Sequence, residues 1–272
     1  MSIDIEEYSL PLKVKPSIKR DGDIIFCIDA KLVNSDDEIA LGLQYICNRY
    51  LYGQGYSRLM GKFFENMGQN SGTLILPFTI SSKLIPSMTT PGDIDLLIIP
   101  YENDELLVSK TIAIELKVIR AKFVKQQKSP NEYGFSQAKG LLKAGFPYVA
   151  VMHLIISDES PIDSWRDVLI AQVVNAESGE IKVLETIKKD MMPTSLMERA
   201  FGRLISNCPD GRIGLLSTYF ERRKYGNWLP KGKVAKFNEK CSKEILDLIA
   251  EFYYQNYTSF LDTRKYPYNE ES

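Results

Sequence analysis

Residues 89–120 read TTPGDIDLLIIPYENDELLVSKTIAIELKVIR and decide the fold class of this 272-residue chain. Two apolar runs, 94–99 and 111–118, have the length and the content of branched residues that are typical of buried strands. The polar residues 102–104 between them are typical of a turn, so the stretch predicts a hairpin. Charged side chains interrupt both runs, and burying them is costly unless they are paired or bind an ion.

Upstream of the hairpin, the pattern is mainly helical. Ser35 and Asp36 are N-cap candidates that open a helix, and helical spacing resumes over 56–67 after a Gly-Gln-Gly break at 53–55. A short apolar run at 24–28 predicts a strand before the first helix. The hairpin is therefore expected to follow at least one helix that can cover the sheet.

Apolar strands and one further helix complete the predicted core. The run 73–78 predicts a strand directly before the hairpin. A helix is predicted over 135–143, ending at Gly145, and a strand over 147–156. Helix, three strands, helix and strand in this order predict an α/β fold, with a mixed central β-sheet flanked by helices.

The chain divides into three parts by composition and pattern. Residues 1–35 are an acidic N-terminal segment, 36–160 form the predicted core, and 161–272 form a C-terminal extension of strands and helices. The pattern leaves two interpretations of the extension open: a separate domain, or an elaboration of the same sheet.

Composition excludes several classes of protein. The chain is 44% hydrophobic with a net charge of −1, and it has no apolar run of the roughly 18 residues that a membrane helix needs. The acidic start MSIDIEEYSL differs from a secretory signal, so we expect a cytoplasmic protein. One histidine and four cysteines without a Cys-x-x-Cys pair exclude multi-histidine and zinc-finger sites. His153, within VAVMHLII, is interpreted as a core residue rather than a catalytic base.

Three charged side chains in the hairpin indicate a chemistry. Glu115 and Lys117 share one face of their strand because they are two residues apart. If the hairpin places Asp95 beside Glu115, two carboxylates meet, and a divalent cation such as Mg²⁺ or Mn²⁺ relieves their repulsion. Lys117 then lies where it can hold a water or neutralise phosphate charge, as in metal-assisted phosphodiester hydrolysis. The alternative is a simple Glu115–Lys117 salt bridge on an exposed edge strand.

The segments PGDID at 91–95 and ELK at 115–117, with Gln137 on the next helix, resemble the motif of the PD-(D/E)XK nuclease superfamily. The order of elements over about 36–156 matches the core of that family. The resemblance therefore implies a restriction-endonuclease-like core with a C-terminal elaboration. It also implies a magnesium-dependent nuclease, acting on DNA in preference to RNA, with an effector role in restriction or antiviral defence as one setting.

The resemblance also implies a role for each residue of the motif. Asp95 and Glu115 would bind the metal, and Leu116 would contribute its backbone carbonyl. Lys117 would assist catalysis, and Gln137 is a weaker catalytic candidate. Mg²⁺ is the implied cofactor, with Mn²⁺ as a substitute.

Two positions within the resemblance have alternatives. Asp95 is preferred to Asp93 as the metal ligand because related motifs use the second acid. An additional acid on the first helix is expected, with Glu65 preferred to Glu38 because FFEN places it on a partly apolar helix. Position 141 is Leu, so the Gln-x-x-x-Tyr form of some relatives is incomplete.

Basic residues near the motif and in a second cluster are candidate phosphate contacts, since such contacts supply sequence-independent affinity for nucleic acid. Simple solubility is the alternative explanation for their charge. A protein partner that delivers or restrains a nuclease is also expected, because the overall charge is near neutral. The candidates are Arg120, Lys122, Lys125, Lys128, Lys139, Lys143, Arg222 and Arg223.

A second function hypothesis belongs to another class. A nucleic-acid-binding or assembly subunit with the nuclease-like fold but without turnover would share every feature above. The near-neutral charge and the large C-terminal extension favour it. Magnesium-dependent cleavage separates the two hypotheses.

Overall fold

The computed structural model describes residues 4–17, 19–86, 93–126, 133–221 and 229–266. The helices are α1 (Ala30–Asn34), α2 (Glu38–Cys47), α3 (Arg49–Met60), α4 (Lys62–Asn66), α5 (Ser81–Leu84), α6 (Phe135–Ala144), α7 (Met192–Asn207) and α8 (Lys243–Asn256). None of them, within these ranges, combines the length and apolar character needed to cross a membrane.

The strands are β1 (Leu10–Pro11), β2 (Ser71–Ile80), β3 (Asp93–Glu102), β4 (Glu105–Leu106), β5 (Ile112–Ala121), β6 (Tyr148–Ser157), β7 (Arg166–Asn175), β8 (Glu180–Lys189), β9 (Gly214–Tyr219), β10 (Lys231–Lys233) and β11 (Leu261–Arg264). In the described part of the chain, nine of them form one sheet in the order β11–β2–β3–β5–β6–β9–β10, while β4 pairs with the end of β3 and β1 pairs with β4. β5, β6 and β9 are parallel, and β2, β3 and β5 are antiparallel neighbours.

Helices cover both faces of the central strands, which is why these strands are apolar on both faces. On one face, Ile114 of β5 belongs to a buried cluster with Tyr45 of α2 and Leu59 of α3. On the other face, Ala113 of β5 belongs to a buried cluster with Leu141 of α6. The prediction of an α/β fold with a mixed central sheet flanked by helices is confirmed.

The C-terminal extension contributes strands to the same sheet. β9 pairs with β6, and β11 pairs with β2 at the opposite side of the sheet. The remaining pair, β7 and β8, forms a separate two-stranded sheet whose side chains are mostly exposed. Residues 161–272 therefore elaborate the core sheet and add one projecting hairpin.

Some of the expected local structures differ from those observed, beginning with the N-cap of α2, which is Asp37 and not Ser35 or Asp36. Residues 24–28 form neither helix nor strand, and Ile24 is 77% exposed, because no described strand lies beside them. The predicted break at Gly-Gln-Gly is wrong, since α3 runs through Gly53 and Gly55. The interruption lies instead at Gly61, which ends α3 with a φ of 55°.

Gly55 is used for close packing rather than for a turn. A Cβ atom added to Gly55 would overlap the hydroxyl oxygen of buried Tyr45 and lie 3.0 Å from Leu216 Cδ2. A Cβ added to Gly53 in the same helix would contact nothing within 4 Å. The missing side chain at position 55 lets α3 approach α2 and the sheet.

We expect Gly55→Ala to lower the free energy of unfolding by about 1–3 kcal/mol, because the methyl group overpacks a filled core. Gly53→Ala is the matched control and should raise it by up to about 1 kcal/mol, through helix propensity alone. Urea denaturation measures both. Equal stabilisation by the two substitutions would contradict the packing described for α3.

Candidate active site

The candidate site lies where β3 stops pairing with β5. Residues 96–98 of β3 pair with 112–114 of β5, and one further step in this register places Asp95 opposite Glu115. β5 extends beyond this point, so backbone N–H groups on its β3 side face side chains instead of a strand. The N–H of Leu116 donates to Asp95 Oδ2 at 2.7 Å. The antiparallel pairing of β3 with β5 therefore brings the two acids together. The turn predicted at 102–104 joins β3 to β4 instead, and the segment Val108–Lys110 lies between β4 and β5.

The carboxyl groups of Asp95 and Glu115 are buried side by side. Asp95 is 8% exposed and Glu115 is 2% exposed. Burial, and after it the neighbouring charge of Glu115, raise the pKa of Asp95 to about 8 against the opposing hydrogen bond from Leu116. Burial also raises the pKa of Glu115, which shares a hydrogen bond with Asp95. Two carboxylates this close do not both ionise readily, so the pair favours either a shared proton or a cation.

Lys117 joins the pair from the same face of β5. Its Nζ lies 2.7 Å from Glu115 Oε1 and 3.4 Å from Glu38 Oε1. Burial lowers the pKa of Lys117, but the hydrogen bond and charge of Glu115 outweigh burial and raise it, so the side chain is a cation. The salt bridge of the alternative interpretation is thus present. It lies in the middle of the sheet with a buried glutamate, and not on an exposed edge strand.

Glu38 completes the polar cluster from the first residue of α2. The Asp37 side chain caps α2 by accepting the Ile39 N–H at 2.9 Å, which fixes the helix start. Glu38 Oε2 accepts the N–H of Val118 at 3.3 Å, on the same side of β5 as Asp95. Lys117 therefore lies between two glutamates, one from the strand and one from the helix.

The structure places Glu38, rather than Glu65, at the site. Glu65 is exposed on α4, and its backbone carbonyl accepts a hydrogen bond from Lys265 Nζ at 2.8 Å. The preference for Glu65 is corrected because the partly apolar character of α4 says nothing about which helix terminus meets β5. Asp93 is exposed at the start of β3, whereas Asp95 is buried beside Glu115.

The polar cluster contains carboxylate oxygens, the type of ligand that a hard divalent cation prefers. Asp95 and Glu115 offer adjacent carboxylate oxygens, and Glu38 offers a third carboxylate beside Lys117. The carbonyl of Leu116 points to the same side of β5 as its N–H, towards Asp95, because both groups of one strand residue face one neighbour. Oxygen-only ligation suits Mg²⁺ or Mn²⁺. In the described ranges, no three His, Cys, Asp or Glu side chains already converge with metal-binding geometry.

The start of α6 packs against the acidic pair. Gly134 is its N-cap, with a φ of 86°, and a Cβ added there would lie 2.7 Å from Glu115 Cγ. Gln137 lies one turn further along, and its Oε1 is buried with no hydrogen-bond partner in the described structure. The structure places Gln137 on the helix whose start meets Glu115.

Five of the eight predicted phosphate contacts are exposed, and the other three lie outside the described residues. The Arg120 guanidinium donates to the backbone carbonyl of Asp36, and Lys125 N–H donates to Lys122 O at 2.9 Å in a tight turn after β5. Lys128, Arg222 and Arg223 lie outside the described residues, as do Pro91 and Gly92 of the motif. The exposed candidates are Arg120, Lys122, Lys125, Lys139 and Lys143.

Sequence reasoning did not identify Arg199 and Arg203 of α7, and it described His153 only as a core residue. His153 is buried, as expected, but only its Nε2 has a partner, the carbonyl of Tyr133 at 3.3 Å, and Nδ1 has none in the described structure. Arg203 of α7 lies close enough to affect the pKa of His153, and Arg199 lies one turn away on the same helix. The spacing of two arginines four residues apart was the available signal.

Comparisons of the chain with protein-family models, with curated proteins and with solved structures find no match. The function of the chain is therefore inferred from the geometry of the site and not from relatives.

The raised pKa of Asp95 predicts how stability depends on pH. Because the folded state holds a proton that the unfolded state releases near pH 4, stability is highest below pH 4 as far as this group is concerned, and it falls as pH rises towards about 8. In EDTA, wild type should lose on the order of a few kcal/mol of unfolding free energy over this window. Asp95→Asn should lose clearly less unfolding free energy over this window, because an amide does not ionise. Its oxygen can still accept the Leu116 N–H.

Asp163→Asn, an exposed position, is the control and should follow the wild-type curve. The measurement is urea denaturation at several pH values between 4 and 8.5. Identical curves of unfolding free energy against pH for wild type and Asp95→Asn would show that ionisation of the acidic pair does not destabilise the folded protein.

Proposed function

We propose that the chain is a metal-dependent nuclease that hydrolyses phosphodiester bonds in nucleic acid, with DNA as the first substrate to test. The observation that carries the proposal is the buried pair of Asp95 and Glu115, with the Lys117 ammonium 2.7 Å from Glu115. Burying two acids together costs stability unless a ligand compensates the charge. Such a cost in the middle of an apolar sheet is typical of a functional site.

Each residue has a task in this proposal. Asp95 and Glu115 would hold Mg²⁺, with the Leu116 carbonyl as a further oxygen ligand. The bound metal would supply Lewis-acid activation of the phosphate and of a water. Lys117 places a positive charge beside the acids, where it can orient the attacking water and stabilise charge on the phosphate oxygens. Glu38 holds Lys117 in position through its 3.4 Å contact.

Substrate binding is assigned to the basic surface around the site. Arg120 and the Lys122–Lys125 turn follow the motif directly on β5 and its end, and Lys139 and Lys143 are exposed on α6. Contacts of this kind bind phosphates irrespective of sequence, so affinity should fall as salt rises. A protein partner that directs such a weakly discriminating enzyme fits the near-neutral net charge of −1.

One observation favours the second candidate function, a nucleic-acid-binding subunit without turnover. Lys117 already pairs with both Glu115 and Glu38, so two of the three carboxylates have a cationic partner without a metal. A silent subunit would bind DNA in a salt-dependent way and show no magnesium-dependent cleavage, alone or with partners. The first experiment below separates the two functions.

Glu115→Gln and Lys117→Met should each lower magnesium-dependent cleavage of a fluorescent DNA substrate by at least about 100-fold, because each removes a charge at the reacting phosphate. RNA and single-stranded DNA are assayed in parallel. Chelation by EDTA should abolish cleavage by wild type.

Glu180→Gln and Lys182→Met on the exposed strand β8 are the matched controls and should cleave like wild type. Far-ultraviolet circular dichroism establishes that all four variants fold. Folded Glu115→Gln or Lys117→Met protein that cleaves at the wild-type rate would exclude this site as the catalytic centre.

A further matched pair of variants tests whether the helical acid at the site is Glu38 of α2 or Glu65 of α4. Glu38→Gln should lower kcat by about 10-fold or more, because Lys117 loses one of its two carboxylate partners. Glu65→Gln makes the same chemical change on exposed α4 and should leave kcat unchanged. Steady-state cleavage rates measure both, and a larger effect of Glu65→Gln would contradict the assignment.

A further inference from the structure

The hairpin of β7 and β8 projects from the body of the protein with an apolar surface. These strands pair with each other, and within the described residues neither pairs with a third strand. Near the base of the hairpin, Val168, Ile170 and Ile187 are half-buried. A two-stranded hairpin is only marginally stable in water, and a continuous exposed apolar surface is typical of an interaction site. Six large apolar side chains of the two strands are between 49% and 64% exposed: Leu169, Val173, Val174, Ile181, Val183 and Leu184.

Five apolar residues of the hairpin share one face, here called the outer face. Val173 pairs with Ile181 and Ala171 pairs with Val183, and the side chains of paired residues lie on the same face. Leu169, Ala171 and Val173 are two residues apart along β7, so they also share this face. The register irregularity between positions 169 and 171 adds its extra residue to β8, so the alternation along β7 continues. All five residues are exposed, which leaves the outer face uncovered in the described part of the chain.

Charge is unevenly distributed along the hairpin. The base, residues 166–167 and 188–189, has three cations and one acid. The tip, residues 175–180, has two acids and no cation. Between them, the charges of Lys182 and Glu185 cancel in a formal count. The hairpin is therefore basic at its base, apolar along its middle and acidic at its tip.

This pattern indicates the kind of partner that the hairpin fits. Anionic lipid surfaces and nucleic acids are negatively charged throughout, so the acidic tip disfavours both. A matching protein surface is apolar in the middle and has its basic and acidic ends in the reverse order. A second copy of the hairpin, turned end for end by a two-fold axis, is such a surface, because an isologous interface pairs one patch with itself.

We propose that the chain forms a two-fold symmetric dimer through the outer face of the β7–β8 hairpin, with the tip of each hairpin against the base of the other. In this arrangement Leu169 of one copy packs against Val173 and Ile181 of the other. Glu177 at the tip of one copy lies near Lys188 at the base of the other. Dimerisation does not depend on the proposed nuclease activity, and no residue of the candidate site takes part in it.

The size of the outer face sets the expected affinity. Strands of ten residues are roughly 33 Å long, and a pair of strands is roughly 10 Å wide. The face is therefore smaller than the roughly 800 Å² per partner of a standard stable interface, and we expect a reversible dimer with a Kd of about 1–100 µM.

Sedimentation velocity of the full chain, over about 0.5–300 µM, tests the proposal. Wild type should pass from monomer to dimer as the concentration rises. Val173→Lys/Ile181→Lys should raise the Kd at least about 10-fold, because dimerisation would bury ammonium groups at the apolar centre of the interface. Circular dichroism and urea denaturation should show that this variant folds like wild type, since both side chains are exposed.

Ile24→Lys/Ile205→Lys is the matched control, because it adds the same charge at two exposed apolar positions outside the hairpin. Its Kd should stay within about twofold of wild type. Wild-type protein that remains monomeric up to the highest concentration would overturn the proposal. Folded Val173→Lys/Ile181→Lys protein that dimerises as well as the control would also overturn it.

Charge reversal tests the arrangement of tip against base. At low salt, Glu177→Lys and Lys188→Glu should each raise the Kd by about 5-fold or more, because each places like charges together where the two hairpins meet. The combined variant has an inverted but matching pair of charges, and its Kd should return to within about twofold of wild type. Both side chains are exposed, so these variants also serve as the test if Val173→Lys/Ile181→Lys does not fold. Unchanged Kd in both single variants, or no recovery in the combined variant, would contradict the proposed dimer.

Discussion

The structure depends on the burial of two carboxyl groups, those of Asp95 and Glu115, between the central strands of an apolar sheet. Their ionisation is opposed by burial and by each other, and it is supported by only one ammonium group and one backbone N–H. The strands around them are apolar on both faces and leave Asp95 only 8% and Glu115 only 2% exposed, so little solvent is available to compensate the charge. A protein that needed only stability would gain from apolar side chains at these positions.

Several neighbouring features follow from this constraint. β3 and β5 pair over few residues and then separate, which leaves backbone groups of β5 free to bind Asp95 and Glu38. Gly134 lets the start of α6 approach Glu115, where any side chain would collide with it. Lys117 bridges two glutamates, and His153 remains neutral beside it. The acids therefore lie beside a polar row that runs from Lys117 through His153 to Ser217 across β5, β6 and β9.

The sequence alone predicts strands β3 and β5 and the charged residues in them, because a continuous apolar run of strand length is a local signal. It predicts β2, β6 and α6 for the same reason. It does not predict that Glu38 rather than Glu65 reaches Lys117, since this depends on how α2 packs against β5. Gly55 illustrates the same limit. A glycine in the sequence indicates a break in a helix, whereas here it allows α3 to pack closely against Tyr45. The pairing of β9 and β11 with distant strands is likewise a tertiary property, as is the position of Arg199 and Arg203.

Manganese soaked into crystals of the protein tests the central claim most directly, because its anomalous scattering locates the ion independently of activity. The account predicts a manganese peak bounded by the carboxylates of Asp95 and Glu115, with Lys117 released from at least one of its glutamate partners. Manganese bound only elsewhere at saturating concentration, with Lys117 still paired to Glu115 and Glu38, would contradict it.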